Sequence, residues 1–296
     1  MNKTELIKRI DNINIWKKGN QRAPHKPLLI LYAIGRHLMK KENMISYRDV
    51  DRDVKKLLIE FGPQRRSYHP EFPFWHLCSD GIWMLSNSEN LQKRKSGSSP
   101  TRTEFLKHNV FGGFPKEVAG VLFRNADFLS SIIKQLLDAH FPSSFHEDIL
   151  QAVGIDMDTT AVFAKARDPY FRNKILNAYE HQCAVCGFNV RVGDSLVALE
   201  AAHIKWHQAG GPDNENNGIA LCTMHHKLFD RGAFTLTGDM TLMVSENAHG
   251  TSGFNEWLMK YHGKEIRPPQ SPSYYPEPTF VTWHVREVFK GTARYY

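Results

Sequence analysis

The sequence predicts an α+β protein in two unlike halves: a mainly helical N-terminal domain with a small β-hairpin, then a domain of short strands and helices. Three observations predict it. Apolar residues recur at helical spacing through most of the first 150 positions. The texture changes from Tyr170 onward, where short apolar runs alternate with Gly- and Asn-rich turns. And three of the four cysteines fall between positions 183 and 222, in pairs spaced like metal ligands.

Taken in order, Leu6, Ile7, Ile10 and Ile13 make one helical stripe, which Trp16 extends. A second helix is predicted from Pro27, a residue suited to a first turn, to about Lys41. A third runs from Asp49 to Phe61 and stops at Gly62-Pro63. Phe72–Leu77 and Ile82–Leu85 read as two strands joined by Ser79-Asp80-Gly81, a hairpin. A polar, basic loop follows at 93–102, then helices near 115–122, 126–140 and 145–152. Further on, Leu196–Ala201 reads as a strand, Leu221–Phe229 as a helix, and Phe234–Val244 as a hairpin turning at Gly238-Asp239. The proline-rich tail should lie extended before a last helix at 282–289. The boundaries predicted are 1–155 for the first domain, 156–166 for a linker and 167–296 for the second.

The chain carries 38 Lys+Arg against 31 Asp+Glu, a formal charge of +7, which favours a polyanionic partner. The longest clean apolar run, Leu28 to Ile34, is far short of the ~20 residues that span a bilayer. The segment MNKTELIKRI holds no apolar core of signal-peptide length. The expectation is therefore a soluble, cytoplasmic protein. In a reducing compartment the cysteines are read for metal before disulfides.

Cys183-Ala-Val-Cys186 and Cys222-Thr-Met-His225 supply four soft or borderline ligands, the set that suits tetrahedral Zn2+. The fourth cysteine, Cys78, falls in a predicted strand and reads as a reduced core residue.

Between and beyond these pairs stand LEAAHI (199–204), NNGIALC (216–222) and HHKLFD (225–230). Here the sequence resembles the HNH nuclease family, whose fold is a β-hairpin and helix around one catalytic divalent ion, the ββα-metal arrangement. His203, Asn217 and His226 match its three signature positions, 14 and then 9 residues apart. The resemblance implies metal-dependent hydrolysis of phosphodiesters, and the residue types fit the chemistry. A neutral imidazole takes a proton from attacking water, the role expected of His203. His226, with Asp230 one turn on along the same helix face, is expected to bind Mg2+ or Mn2+. Asn217 is expected to fix the loop that aims His203. Many relatives carry a metal-binding His or Asp just before the general base; this chain has Ala202.

The N-terminal half has room to read a target. Its informative stretches are RAPHKP (22–27) and RRSYHPEFPFWH (65–76), where basic residues alternate with aromatics and prolines. RAPHKPLLILYAIGR (22–36) and FPFWHLCSDGIW (72–83) resemble the sulfur-binding domain of phosphorothioate-dependent restriction endonucleases. That resemblance implies a partner, double-stranded DNA with sulfur in place of a non-bridging oxygen, and a type IV restriction function. Phe72, Pro73 and His76 match the pocket region; Tyr often stands at the position of Phe72 and a small residue at that of His76. Arg22, His25, Lys26, Arg65 and Arg66 are the expected phosphate and base contacts. A nuclease reading another modification or a sequence, and a DNA-binding regulator that no longer cuts, remain the alternatives. Assembly is left open, a homodimer included.

Overall fold

The computed structural model describes residues 1–15, 21–94, 99–155 and 169–294. Trp16 and the predicted linker 156–166 lie outside the described residues. The backbone clusters into two compact units, Met1–Lys18 with Ala23–Ala164, and Gly19–Arg22 with Lys165–Tyr296.

The first unit is built on helix α2 (His25–Lys40), after α1 (Lys3–Asp11). Leu28 to Ile34 of α2 are all buried, so this helix is apolar around its circumference, the pattern of a helix enclosed by others. The helices α3 (Tyr47–Phe61), α4 (Glu71–His76), α7 (Ala126–His140) and α8 (Ser143–Val153) pack around it. Shorter α5 (Arg102–Lys107) and α6 (Lys116–Leu122) lie between α4 and α7 in the chain. Side-chain caps start several of these helices, Ser46 on α3, Thr101 on α5 and Asn125 on α7 among them.

The predicted hairpin over 72–85 is corrected here. Glu71–His76 is helical, a 3-10 turn follows at Leu77–Asp80, and only Met84–Ser86 is a strand, β2. The β element of this unit is instead an antiparallel sheet ordered β1-β3-β2, with β1 Met44–Ser46 and β3 Phe111–Gly113 in the centre. Aromatic and proline alternation in EFPFW imitates a strand, yet a strand would lose a ladder hydrogen bond at Pro73. In the first helical turn the missing N–H has no intrahelical partner to lose. Phe74 is then fully buried against Tyr47, Trp83 and Phe105, which fixes the orientation of α4. Cys78 lies in the 3-10 turn, half-buried and free, rather than in a strand.

The second unit begins with α9 (Pro169–Ala178), followed by a small hairpin, β4 (Arg191–Val192) and β5 (Ser195–Leu196). Its centre is the antiparallel pair β6 (Leu199–His203) and β7 (Gly218–Cys222), in register from Leu199 opposite Cys222 to His203 opposite Gly218. Helix α10 (Thr223–Asp230) follows β7 directly and packs on both strands, giving the ββα arrangement. The predicted hairpin at 234–244 is present as β8 (Phe234–Leu236) and β9 (Leu242–Val244). Next come α11 (Ser252–Trp257), a 3-10 turn at Pro272–Tyr274 and the last helix, α12, at Pro278–Glu287. That helix starts four residues before its predicted position, with Pro278 in its first turn. No helix among the described residues is long and apolar enough to cross a membrane.

Candidate nuclease centre and DNA-reading face

A tight turn brings the first cysteine pair together. Cys183 N–H donates to the Phe188 carbonyl at 2.9 Å, Gly187 N–H donates back to the Cys183 carbonyl at 2.8 Å, and Gly187 takes φ +72°. That conformation suits glycine and strains other residues. The turn is tied to the central hairpin by Ala184 N–H, which donates to the Ala220 carbonyl at 2.8 Å. Cys222 ends β7 and stands at the N-cap of α10, which places His225 in the first helical turn beside it.

The donor atoms of Cys183, Cys186, Cys222 and His225 all lie within 4.8 Å of one another. Cys186 Sγ to Cys222 Sγ is 3.9 Å, Cys183 Sγ to His225 Nδ1 is 3.7 Å, and Cys222 Sγ to His225 Nδ1 is 3.1 Å. Ligands at the usual zinc bond lengths in a tetrahedron stand about 3.6–3.8 Å apart, so the cluster fits that ion with small adjustments. His225 Nε2–H donates to the Trp257 carbonyl at 2.8 Å, which leaves Nδ1 with its lone pair toward the sulfurs. Where a proton stands on Nδ1 in place of a metal, burial opposes the charge, but the three surrounding sulfurs outweigh it and push the His225 pKa up to about 12, so the cluster favours a cation at that point.

The predicted signature residues lie on β6 (His203), just before β7 (Asn217) and on α10 (His226). His226, 7% exposed, donates from Nδ1–H to Glu200 Oε2 at 2.6 Å, and its Nε2 faces Asp230 Oδ2 at 3.2 Å. Two acceptor atoms then face one another, an arrangement that needs a cation or a proton between them. Burial works against that proton, while Asp230 and Glu200 draw it in, raising the His226 pKa to about 9. His226 and Asp230 therefore have the geometry to hold a divalent ion, and Glu200 fixes the ring that presents Nε2.

His203, at the end of β6, stacks on Phe171 at 3.9 Å between ring centroids, with 12° between the planes. Its Nε2–H donates to Asp213 Oδ1 at 2.7 Å. Burial lowers its pKa against the opposing pull of Asp213, so the ring is neutral near neutral pH. Asn217 is fully buried and uses its whole amide: Oδ1 accepts from Lys205 N–H, and Nδ2 donates to the Lys205 and Pro212 carbonyls. Ala202 is buried in the hydrophobic core of this unit, so its position faces packing side chains.

Sequence reasoning missed Glu200 and Asp213. Strand alternation puts Glu200 on the same face as Ala202, a signal that was there to read. Asp213 sits in the Gly-Gly-Pro-Asp loop, where no spacing rule points to His203.

In the first unit, Phe72, Pro73 and His76 share α4, His76 one turn after Phe72 and Pro73. Pro73 is buried, whereas Phe72 and His76 are half-buried. Burial lowers the His76 pKa, so that ring too is uncharged at neutral pH. Beside them, Arg94 sets its guanidinium 4.8 Å above the Phe72 ring and donates to the buried Glu71 carboxylate at 2.9 Å. Arg94 was hidden from sequence reasoning inside a basic run.

Three of the expected DNA contacts have surroundings within the chain that sequence did not show. Lys26 is buried, and its ammonium is held by Asp80 at 2.6 Å, so its charge is engaged inside the unit. His25 is no cation: burial first, then Arg65 and His69, push its pKa down to about 4. Arg22 belongs to the second unit, where its guanidinium lies 3.8 Å over the Trp206 ring and donates to the Glu287 carbonyl. Arg65 is half-buried and Arg66 is exposed.

A family model for the ScoMcrA-like DNA sulfur-binding domain matches residues 3–158, and one for an HNH endonuclease matches residues 183–237. No curated protein matches the chain. Among solved structures, the sulfur-binding domain of ScoMcrA complexed with phosphorothioated DNA is similar at 20% identity and TM-score 0.45, over 50% of this chain and 94% of that one. The type IV phosphorothioation-dependent restriction endonuclease ScoMcrA is similar at 13% identity and TM-score 0.41, over 76% and 83%. The modification-dependent restriction endonuclease TagI is similar at 25% identity and TM-score 0.30, over 45% and 41%. Placement rests on the two family models, the first spanning more than half of the sequence. The chain belongs to the ScoMcrA-like DNA sulfur-binding family, and its second half makes it an HNH DNA endonuclease.

Proposed function

We propose that the protein is a modification-dependent restriction endonuclease acting in the cytoplasm, which recognises phosphorothioated double-stranded DNA and hydrolyses phosphodiester bonds nearby. The observation that carries this reading is the buried His226–Asp230 pair on α10, the helix packed on the β6–β7 hairpin that bears His203, in a chain whose other half is a DNA sulfur-binding domain.

His203 is the general base, neutral in its stacked setting and able to take a proton from water. His226 and Asp230 hold the divalent ion, Mg2+ or Mn2+, which stabilises negative charge on the phosphoryl and leaving oxygens when bound. Asn217 holds the 205–212 loop. Cys183, Cys186, Cys222 and His225 hold structural Zn2+, which joins the cysteine turn to the hairpin and α10.

Phe72, Pro73 and His76 form the sulfur-facing pocket. Sulfur is larger, more polarizable and a poorer acceptor than oxygen, so carbon-bound hydrogens suit it where a phosphate oxygen would lose water without replacement. Arg65 and Arg66 contact neighbouring phosphates, with Arg94 set beside Phe72.

Digestion of matched phosphorothioated and ordinary plasmids with Mg2+ or Mn2+ tests the reading. Cleavage of the modified plasmid alone is expected; equal cleavage of both would remove the sulfur reading and leave a nuclease of other specificity. Binding can be measured separately with the full-length His203→Ala variant. Avoided desolvation of a polar atom is worth about 1–3 kcal/mol, so ~10- to 100-fold tighter binding of the modified duplex is expected. Arg66→Ala should weaken binding to both duplexes and keep their ratio, because a phosphate contact is common to them. His76→Asp should reduce the ratio by placing a carboxylate in the pocket.

A further inference from the structure

The carboxylate of Asp213 takes no part in the chemistry described above, yet among the described residues it makes the one hydrogen bond to the ring of His203. We infer that Asp213 is a positioning residue that selects the tautomer of His203, holding the proton on Nε2 so that Nδ1 is the atom that accepts a proton from the attacking water. This rests on the proposed base role of His203 and adds which nitrogen acts and what sets it.

An ionised carboxylate only accepts hydrogen bonds, so the 2.7 Å contact from Nε2 to Asp213 Oδ1 requires a proton on Nε2. The neutral ring then keeps its lone pair on Nδ1, which has no hydrogen-bond partner among the described residues, and the side chain is 22% exposed. Water can therefore reach the ring, and the open nitrogen is the basic one.

Phe171 stacks nearly parallel on the imidazole, 12° between planes, and would stack equally well on a ring turned over by 180° about Cβ–Cγ. Stacking therefore does not choose between the two nitrogens; among the described residues, the hydrogen bond that does is the one the ring makes to Asp213.

Asp213 is itself held through its loop. Asn217 donates to the carbonyl of Pro212, the residue before Asp213, and clamps Lys205 at both N–H and C=O. The loop between them is closed by Gly211, where a Cβ would stand 1.8 Å from the Lys205 carbonyl oxygen and 2.7 Å from Asn217 Nδ2. Only glycine fits that approach. The side chain of the signature asparagine thus reaches the base through the loop that ends in Asp213, while its backbone carbonyl accepts from Ile204 N–H, next to His203.

The proton balance is simple. As the water oxygen bonds to phosphorus, its proton passes to Nδ1, the P–O3′ bond breaks, and the leaving oxygen takes a proton from solvent. The imidazolium formed is stabilised by Asp213 until it returns its proton to solvent. Charged groups acting on the ring are Asp213 and His207 from the loop and Asp230 from α10.

The test combines nitrogen NMR with kinetics on the zinc-loaded, full-length protein. Long-range 1H–15N spectra read the protonated nitrogen directly, and the His203 signal is identified by its loss in His203→Ala. Wild type should carry its proton on Nε2. In Asp213→Asn, whose amide can also donate to Nε2, the proton should shift toward Nδ1, and kcat should fall about 10²- to 10⁴-fold, as carboxylate–imidazole pairs elsewhere behave. Affinity for phosphorothioated duplex and zinc content should not change. Asp213 raises the proton affinity of the ring, so the acidic limb of the residual activity should move to lower pH in Asp213→Asn. Asp213→Glu, which keeps a carboxylate, should recover part of the rate and the tautomer. A wild-type ring protonated on Nδ1, or wild-type kcat in Asp213→Asn, overturns the inference. Full activity in His203→Ala would instead overturn the base assignment beneath it.

Discussion

His203→Ala is expected to lower DNA cleavage by at least about 10²- to 10⁴-fold, the usual worth of a positioned general base, while DNA affinity stays at the wild-type level. The two effects separate because His203 lies in the second unit, on β6, and the residues proposed to face sulfur lie on α4 of the first. Its pH dependence follows from the direction of its shift. Burial holds the folded pKa below the ordinary histidine value, so the ring is an available base across the neutral range. Activity should fall only as pH drops through that lowered value, where the ring becomes protonated. His226→Ala should also abolish cleavage, by a different route: it removes a ligand of the divalent ion and leaves Glu200 and Asp230 without their shared partner. Asp230→Ala keeps the His226 ligand, so raising Mg2+ or Mn2+ should restore part of its activity by mass action. Single-turnover cleavage of phosphorothioated plasmid, run beside filter or fluorescence binding, checks all three. Near wild-type cutting by His203→Ala would refute the base role.

The parts of this centre that were legible in the sequence are those fixed by local geometry. A C-x-x-C turn and a C-x-x-H at a helix start place two ligands within one turn of chain, so spacing alone announces them. His226 and Asp230 are one helical turn apart, and periodicity shows that too. Helices such as α3 and α7 were visible because their apolar stripes repeat at 3.6 residues and their ends carry caps or breakers. What sequence concealed depends on contacts between distant positions. The sheet β1-β3-β2 draws strands from residues 44, 84 and 111 into one ladder, and none of the three-residue strands carries a pattern of its own. Helix α4 imitated a strand because its aromatics alternate, though Pro73 argued otherwise. Arg22, His25 and Lys26 looked alike as a basic cluster; folding gives one to Trp206, leaves one neutral and pairs one with Asp80. Charge in sequence therefore overstated the basic surface of the first unit, while Arg66, proposed as a phosphate contact, is exposed.

Replacing Cys222 with Ala is expected to unfold the second unit and leave the first folded. Cys222 does three things at once: it ends β7, caps the start of α10, and supplies a sulfur 3.9 Å from Cys186 and 3.1 Å from His225 Nδ1. Without a bound ion, three cysteine sulfurs and an imidazole would be gathered with little to hold them. Structural zinc contributes about 10–16 kcal/mol of apparent binding free energy at pH 7, comparable with or larger than the ~5–15 kcal/mol stability of a whole domain. Loss of one ligand of four should therefore exceed what the remaining core can supply, although that core is real and runs from Phe171 to Val281. Metal analysis should find one zinc per wild-type chain and none in Cys222→Ala, and thermal unfolding should lose one of two transitions. Cys183→Ala should behave the same way. Cys78→Ala is the control: its thiol is half-buried in a turn of the first unit and is not one of the four clustered donors, and zinc content should be unchanged. A chelator should reproduce the loss in the wild-type protein, and cleavage should disappear with it because β6, β7 and α10 carry His203, Asn217 and His226 on the same scaffold. A Cys222→Ala protein that keeps both transitions would show that packing alone holds the hairpin and helix together, and that the four ligands serve some purpose other than folding.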